Sequence, residues 1–273
     1  MLTGTRLEVW GDPIAHSRSP QLHLAAYRAL GLDWSFERRR VDAASFDAQL
    51  ASLDASFRGL AVTMPGKERA FAATVRRDRR AELTGAVNTL LLGDGGPRGW
   101  NTDVGGIVRA LDEAGLGAAR AVRILGAGAT GASALVAVAE RGAERATIVA
   151  RRPERAAALV ALGARLGLSV AATSFGEVSG SAELTISTLP GGASLPAAQL
   201  DRIAGSGGAL FDVAYSPWPS PLATRWEARA VSGLGMLLHQ AVLQVRVFTS
   251  GDVDEPLPRE DAVVEAMRAA MGD

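Results

Sequence analysis

The chain has 273 residues, 48% of them hydrophobic, enough for one large or two medium domains with buried cores. Twenty-nine basic residues balance 29 acidic ones, so no global field favours nucleic acid or an anionic membrane surface as a partner. Without cysteine there is no disulfide, thiolate nucleophile or cysteine-ligated zinc, and His16, His23 and His239 are too scattered to read as a metal motif. No apolar leader and no run of about 18 apolar residues occurs, so the expectation is a cytoplasmic protein that neither spans a membrane nor is secreted.

Apolar strand-like runs alternate with amphipathic helical stretches throughout, the pattern of parallel α/β architecture. The first run is Arg6 to Gly11. Ser19-Pro20 then predicts an N-cap with proline at the first helical position, opening a helix that carries Leu22, Ala25, Ala26 and Leu30 and stops at Gly31. Further strands are expected at Phe36 to Val41, Leu60 to Thr63 and Ala86 to Leu92, with a turn at Gly95-Gly96-Pro97. A helix from Val104 to Leu116 leads into a second α/β unit, so a boundary falls near Asp103. Strands in that unit are expected at Ala121 to Leu125, Ala146 to Ala150, Glu183 to Ser187 and Ala209 to Tyr215.

The strand Ala121 to Leu125 runs directly into Gly126-Ala127-Gly128-Ala129-Thr130-Gly131, followed by a helical run from Ala132 to Arg141. Strand, glycine turn and helix are the context in which this spacing signals dinucleotide binding, because the glycines admit a pyrophosphate to the backbone and the helix N-terminus offers unpaired N–H groups. The alternative is an ordinary tight strand-to-helix turn. The next strand ends in Arg151-Arg152, with Arg155 a turn later, where an NAD site usually carries an acidic residue. Guanidiniums there suit a ribose 2′-phosphate and point to NADP(H); the alternative is solvated arginine at a strand end.

Lys67 is the one lysine among 29 basic residues, the other 28 being arginine. Lysine can be tuned to exchange a proton and a guanidinium cannot, which makes Lys67 a candidate acid–base group against the alternative of a leftover surface lysine. It follows the strand-end run Gly59-Leu-Ala-Val-Thr63-Met-Pro65-Gly66, and strand ends line crevices in α/β folds. With this run stand Gly11-Asp-Pro13-Ile14-Ala-His16-Ser17-Arg-Ser19-Pro20, Gly85-Ala-Val-Asn88-Thr89, Asn101-Thr102-Asp103-Val-Gly105, Asp212-Val-Ala-Tyr215-Ser-Pro217-Trp-Pro-Ser-Pro221-Leu222 and Gly233-Leu-Gly-Met236-Leu-Leu-His-Gln240. In order and spacing, from Gly11 to Gln240, these segments resemble the shikimate dehydrogenase family.

The resemblance implies an N-terminal three-layer α/β substrate domain (1–103 with 239–273), a C-terminal Rossmann-type NADP-binding domain (104–238) and a cleft between them. It implies reversible reduction of 3-dehydroshikimate to shikimate with NADPH, in the route to chorismate and the aromatic amino acids. Partners would be small molecules, with no nucleic acid or membrane, and the protein a monomer or homodimer. Lys67 and Asp103 match the catalytic pair; helix capping is the alternative for Asp103. Ser17 and Ser19 match the hydroxyls that grip the substrate carboxylate and Tyr215 a further contact there, while Thr63, Asn88 and Gln240 match positions that bond ring hydroxyls. The glycine-loop residues, the three arginines and the Gly233–Met236 segment match coenzyme positions. The chain departs from the family at Leu24 and Ala150, where asparagine is common, and at Gly128-Ala129, where two glycines are. A catabolic NAD-preferring quinate/shikimate dehydrogenase is an alternative that Arg151 and Arg152 disfavour. A redox-inactive NADP(H)-binding sensor is another, disfavoured by the presence of both Lys67 and Asp103.

Overall fold

The computed structural model describes residues 4–205 and 208–272. They divide into two compact units, Met1–Gly106 with Leu237–Asp273, and Ile107–Met236. Among the described residues no helix is long and apolar enough to cross a membrane.

In the first unit the chain runs β1 (Arg6–Gly11), α1 (Ser19–Leu30), β2 (Ser35–Arg40), α2 (Phe46–Ala51), β3 (Phe57–Val62), α3 (Lys67–Ala73), β4 (Arg76–Arg77), α4 (Arg79–Thr84), β5 (Thr89–Leu91) and β6 (Arg98–Trp100). The sheet order is β2-β1-β3-β5-β6-β4. β2, β1 and β3 are parallel, as alternating strands and helices predict, but β5 runs antiparallel to both β3 and β6. The short strands β4 and β6 have no counterpart in the sequence reading, because two or three residues carry too little periodicity to register. Gly96, at φ 88°, sits in the turn between β5 and β6. β3 is buried along its whole length, whereas β2 buries chiefly Phe36 and shows charge along the sheet edge, where arginines deter pairing with another chain. The core of this unit gathers Trp10, Phe46, Leu60, Val62 and Leu90, with Trp10 and Phe46 edge to face at 5.4 Å.

α5 (Thr102–Glu113) carries the chain into the second unit, which continues β7 (Ala121–Leu125), α6 (Ala129–Glu140), β8 (Arg145–Val149), α7 (Ala157–Arg165), β9 (Ser169–Thr173), β10 (Leu184–Ser187), α8 (Ala197–Ala204), β11 (Ala209–Asp212) and β12 (Ala230–Ser232). All six strands are parallel in the order β9-β8-β7-β10-β11-β12, the 3-2-1-4-5-6 arrangement of a doubly wound dinucleotide fold. The strand order reverses between β7 and β10, directly beside the glycine loop. α9 (Leu234–Ser250) returns the chain to the first unit, and α10 (Glu260–Ala270) packs on α1 there.

Helix starts differ in instructive ways from their sequence reading. α1 begins at Ser19 with Arg18 at the cap position; the Arg18 side chain makes no cap bond, and Ser17 Oγ accepts from the Ser19 N–H at 3.3 Å, so Ser19 is not the N-cap and its hydroxyl is left for other work. Gly31 closes the helix in the left-handed conformation, φ 70°, as expected. α5 begins at Thr102, two residues early. The Asp103 N–H is capped by Asn101 Oδ1 at 3.1 Å, so the Asp103 carboxylate lies inside the first turn rather than serving as a cap.

Candidate active site

The buried strands β1 and β3 deliver the first group of side chains at their C-terminal ends. Thr63 follows β3, and its N–H bonds to Trp10 O at 2.9 Å. A Cβ at Gly11 would lie 2.4 Å from Thr63 Cγ2 and 2.8 Å from Met64 O, so only glycine permits this approach. Lys67 opens α3 immediately after Gly66, and its carbonyl accepts from the Val87 N–H at 3.0 Å, tying the lysine to the segment that carries Asn88. Asn88 itself is held where three strands converge: its carbonyl accepts from Val62 N at 2.8 Å and its N–H donates to Trp100 O at 3.1 Å.

Lys67 Nζ and Asp103 Oδ2 meet at 2.5 Å, with side chains only 12% and 6% exposed. Such a pair is largely out of water, where charge-assisted hydrogen bonds strengthen and the loss of either partner strands a buried charge. Asp103 is oriented from its other oxygen, since Asn88 Nδ2 donates to Oδ1 at 2.8 Å. Asn88 Nδ2 also lies 3.4 Å from Gln240 Oε1, and Gln240 Nε2 bonds to Leu237 O at 2.8 Å. Lys67, Asp103, Asn88 and Gln240 thus form one connected buried group. Ser17 and Ser19 form a second, with hydroxyls 3.2 Å apart, and the Arg38 guanidinium donates to Ser17 O at 2.7 Å. Thr63 stands near the end of β3 without a side-chain bond to either group.

Several residues without an assigned role complete the first group. Thr102 donates its N–H to Asn88 Oδ1 at 2.8 Å, and Thr89 Oγ1 donates to the same oxygen at 2.9 Å. Both lie within the runs already singled out, Gly85–Thr89 and Asn101–Gly105, which is the only signal that could have found them. His23 is fully buried in α1, stacked on Phe36 at 3.9 Å, with Nδ1 2.9 Å from Ser19 O. Burial lowers its pKa from 6.5 to about 4, against smaller opposing contributions from Ser19 and Gln244.

In the second unit each glycine of the loop after β7 has its own reason. Gly126 has φ 109°, and a Cβ there would lie 2.5 Å from Thr188 Oγ1; a Cβ at Gly131 would lie 2.5 Å from Gly126 O, so the helix could not seat on the loop. A Cβ at Gly128 would meet nothing within 4 Å, which leaves the loop open to a close ligand approach. Ala127 lies between, and α6 starts at Ala129 with Gly128 as its cap, three residues earlier than expected. Arg151, Arg152 and Arg155 follow β8, all exposed, and none has a side-chain hydrogen bond or ion pair among the described residues. A dinucleotide phosphate would find here a helix N-terminus, an open glycine and uncommitted guanidiniums, a donor set that fits NADP(H).

Tyr215 also belongs to the second unit, in the loop after β11, and is half-buried. Its loop is pinned by Asp212, whose carboxylate accepts from Ser220 Oγ at 2.6 Å and whose pKa burial raises. Gly233 has a plainer explanation than coenzyme contact, since a Cβ there would lie 2.1 Å from Val213 O, and Met236 is buried. Among the described residues no group of three or more His, Asp or Glu side chains could hold a metal ion.

Sheet order, glycine loop and buried ammonium–carboxylate pair together define an α/β protein of the dinucleotide-dependent dehydrogenase class. Residues 9–90 match the sequence model of the shikimate dehydrogenase substrate binding domain. The shikimate dehydrogenase (NADP(+)) of Methylobacterium radiotolerans is 40% identical over 264 residues, spanning 87% of this chain and 88% of that relative. Alignments with two further relatives of that name, from Mesorhizobium japonicum and Rubrobacter xylanophilus, are 47% and 44% identical but reach only 40% and 38% of those proteins' lengths. The crystal structure of Mycobacterium tuberculosis shikimate dehydrogenase superposes with a TM-score of 0.84 at 40% identity, covering 97% of this chain and 99% of that one. Shikimate 5-dehydrogenase from Thermus thermophilus, in complex with NADP(H) and shikimate, gives 0.77 at 32% identity, covering 97% and 99%. The chain belongs to the shikimate dehydrogenase family.

Proposed function

We propose that this protein catalyses the reversible NADPH-dependent reduction of 3-dehydroshikimate to shikimate, in the cytoplasm, on the route to chorismate. The observation that carries the proposal is the buried Lys67–Asp103 pair, oriented by Asn88, in a member of this family whose second unit has a donor set fitting NADP(H).

Bound NADPH supplies the hydride, and NADP+ accepts it in the reverse direction. The chain's own residues manage charge and proton. Hydride arrival at a carbonyl carbon leaves negative charge on oxygen, and the Lys67 ammonium both stabilises that charge and gives up the proton. Asp103 holds the ammonium in place and bonds the substrate. In the oxidation direction Lys67 takes the proton back. Ser17 and Ser19 hold the substrate carboxylate with neutral donors, which suffice because hydrogen bonds to an ionised acceptor are about twice as strong as neutral ones. Freedom of the Ser19 hydroxyl from helix capping supports this reading. Thr63, Asn88 and Gln240 bond ring hydroxyls and Tyr215 the carboxylate end.

Initial rates with the purified protein, NADP+ or NAD+ against shikimate or quinate, test the proposal. Efficient turnover of shikimate with NADP+ is expected. Preference for NAD+ with turnover of quinate would replace it with the catabolic reading, and NADP(H) binding without turnover would replace it with the sensor.

A further inference from the structure

α9 presents two glutamines one turn apart to the same region, and only Gln240 falls in the runs that resemble the family. Gln244 is buried, and its amide donates to Asn88 O at 3.0 Å and to Thr89 Oγ1 at 3.2 Å. The Thr89 hydroxyl passes the interaction on to Asn88 Oδ1 at 2.9 Å, and Asn88 Nδ2 bonds to Asp103 Oδ1. An amide can rotate its oxygen and nitrogen into each other's places, and such a flip would set Asn88 Oδ1 against the Asp103 carboxylate. Donors fixed on Asn88 Oδ1 prevent it.

The far end of Gln244 meets His23. The imidazole lies close enough for Gln244 to favour its protonation, yet neither His23 Nε2 nor Gln244 Oε1 completes a hydrogen bond of good geometry. With His23 Nδ1 on Ser19 O, a line of buried polar groups runs from the base of the Ser17–Ser19 hydroxyls to the acid–base pair. Polar groups are expensive to bury in such number, and an apolar helix face would have packed here at less cost.

We propose that Gln244 is a positioning residue for the Lys67–Asp103 pair, acting through Thr89 and the Asn88 amide. The inference rests on the proposed acid–base role for its consequence in turnover, but the positioning itself can be read without substrate. Lys67 is the only lysine, so its rate of acylation by an amine-selective reagent, followed by mass spectrometry with the N-terminal amine as internal standard, reports how firmly Asp103 holds it. Gln244→Leu and Thr89→Val should each raise that rate severalfold at fixed pH and lower kcat for shikimate oxidation about tenfold, with the KM for NADP+ unchanged. Thr89→Ser, which keeps the hydroxyl, should restore both. Unchanged Lys67 reactivity in Thr89→Val and Gln244→Leu would overturn the proposal, even if thermal stability fell, since that is the signature of packing alone. Should the native protein not turn over shikimate, the functional reading falls while the acylation rates still decide the positioning role. Gln244→Leu leaves Asn88 O bonded to Val62 N, and Thr89→Val keeps the side-chain shape, so one variant remains informative if the other fails to fold.

Discussion

The two units prepare for their ligands in opposite ways. In the first, the polar side chains around Asp103 are already committed to one another, and the Lys67–Asp103 pair is almost wholly out of water. In the second, the loop after β7 is shaped by what glycine leaves out, and the arginines after β8 stand exposed with no partner among the described side chains. The contrast fits the chemistry proposed for each. A proton donor works only from one geometry, whereas a phosphate is bound well by charge that can move to meet it.

The sharpest way to break this comparison is to remove the lysine. Lys67→Ala should lose on the order of 10²–10⁴ in kcat with modest change in substrate binding, and Lys67→Arg should recover little despite its charge. Recovery by arginine, in steady-state rates, would mean that charge rather than proton transfer is what the first unit preserves. Acylation of Lys67 should likewise inactivate the protein, with shikimate and NADP+ protecting it.

Next in size is the pH response of the first unit. The folded-state pKa of His23 lies below its ordinary 6.5, at about 4, so its contribution to stability is intact above 6.5 and is lost as pH falls from there toward 4. The full shift amounts to on the order of 3 kcal/mol. Between pH 7 and about 4.5 the native protein should therefore lose more stability than His23→Phe in chemical denaturation. Parallel pH curves for the two proteins would show that His23 is not the group responsible.

The second unit should respond more gently and with solvent screening. NADP(H) should be preferred over NAD(H) by at least about a hundredfold in kcat/KM, since two charge-assisted bonds worth roughly 1.5–3 kcal/mol each suffice even after discounting. Arg151→Ala and Arg152→Ala should erode that preference and scarcely touch NAD(H) kinetics. Equal efficiency of the native protein with both coenzymes would show that the exposed guanidiniums do not read a phosphate.

The smallest effect is expected at Ser17 and Ser19, the hydroxyls proposed to hold the carboxylate. Ser17→Ala and Ser19→Ala should raise the KM for shikimate about tenfold with a smaller change in kcat, because a group remote from the reacting carbon is bound alike in ground and transition states. Since Ser19 does not cap α1, its removal should leave the thermal midpoint unchanged; a loss of about 1 kcal/mol would restore the capping role.

Much of this was legible in the chain. Burial of β1 and β7 follows from their apolar runs, whose bounds match the sequence reading residue for residue, and the left-handed Gly31 follows from its place after an amphipathic helix. Lys67 stood out by composition and Asp103 through the resemblance of its run to the family. Sequence by itself determined the alternation of elements, the glycine loop and the guanidiniums at the end of β8, because each depends on neighbours a few residues away. Only the tertiary structure decided that β5 runs antiparallel, that Asn101 rather than Asp103 caps α5, and that Gln244 reaches Asn88 across 156 positions. Strand order and helix packing bring such residues together, and local periodicity does not encode which distant side chain will fill a buried donor's need.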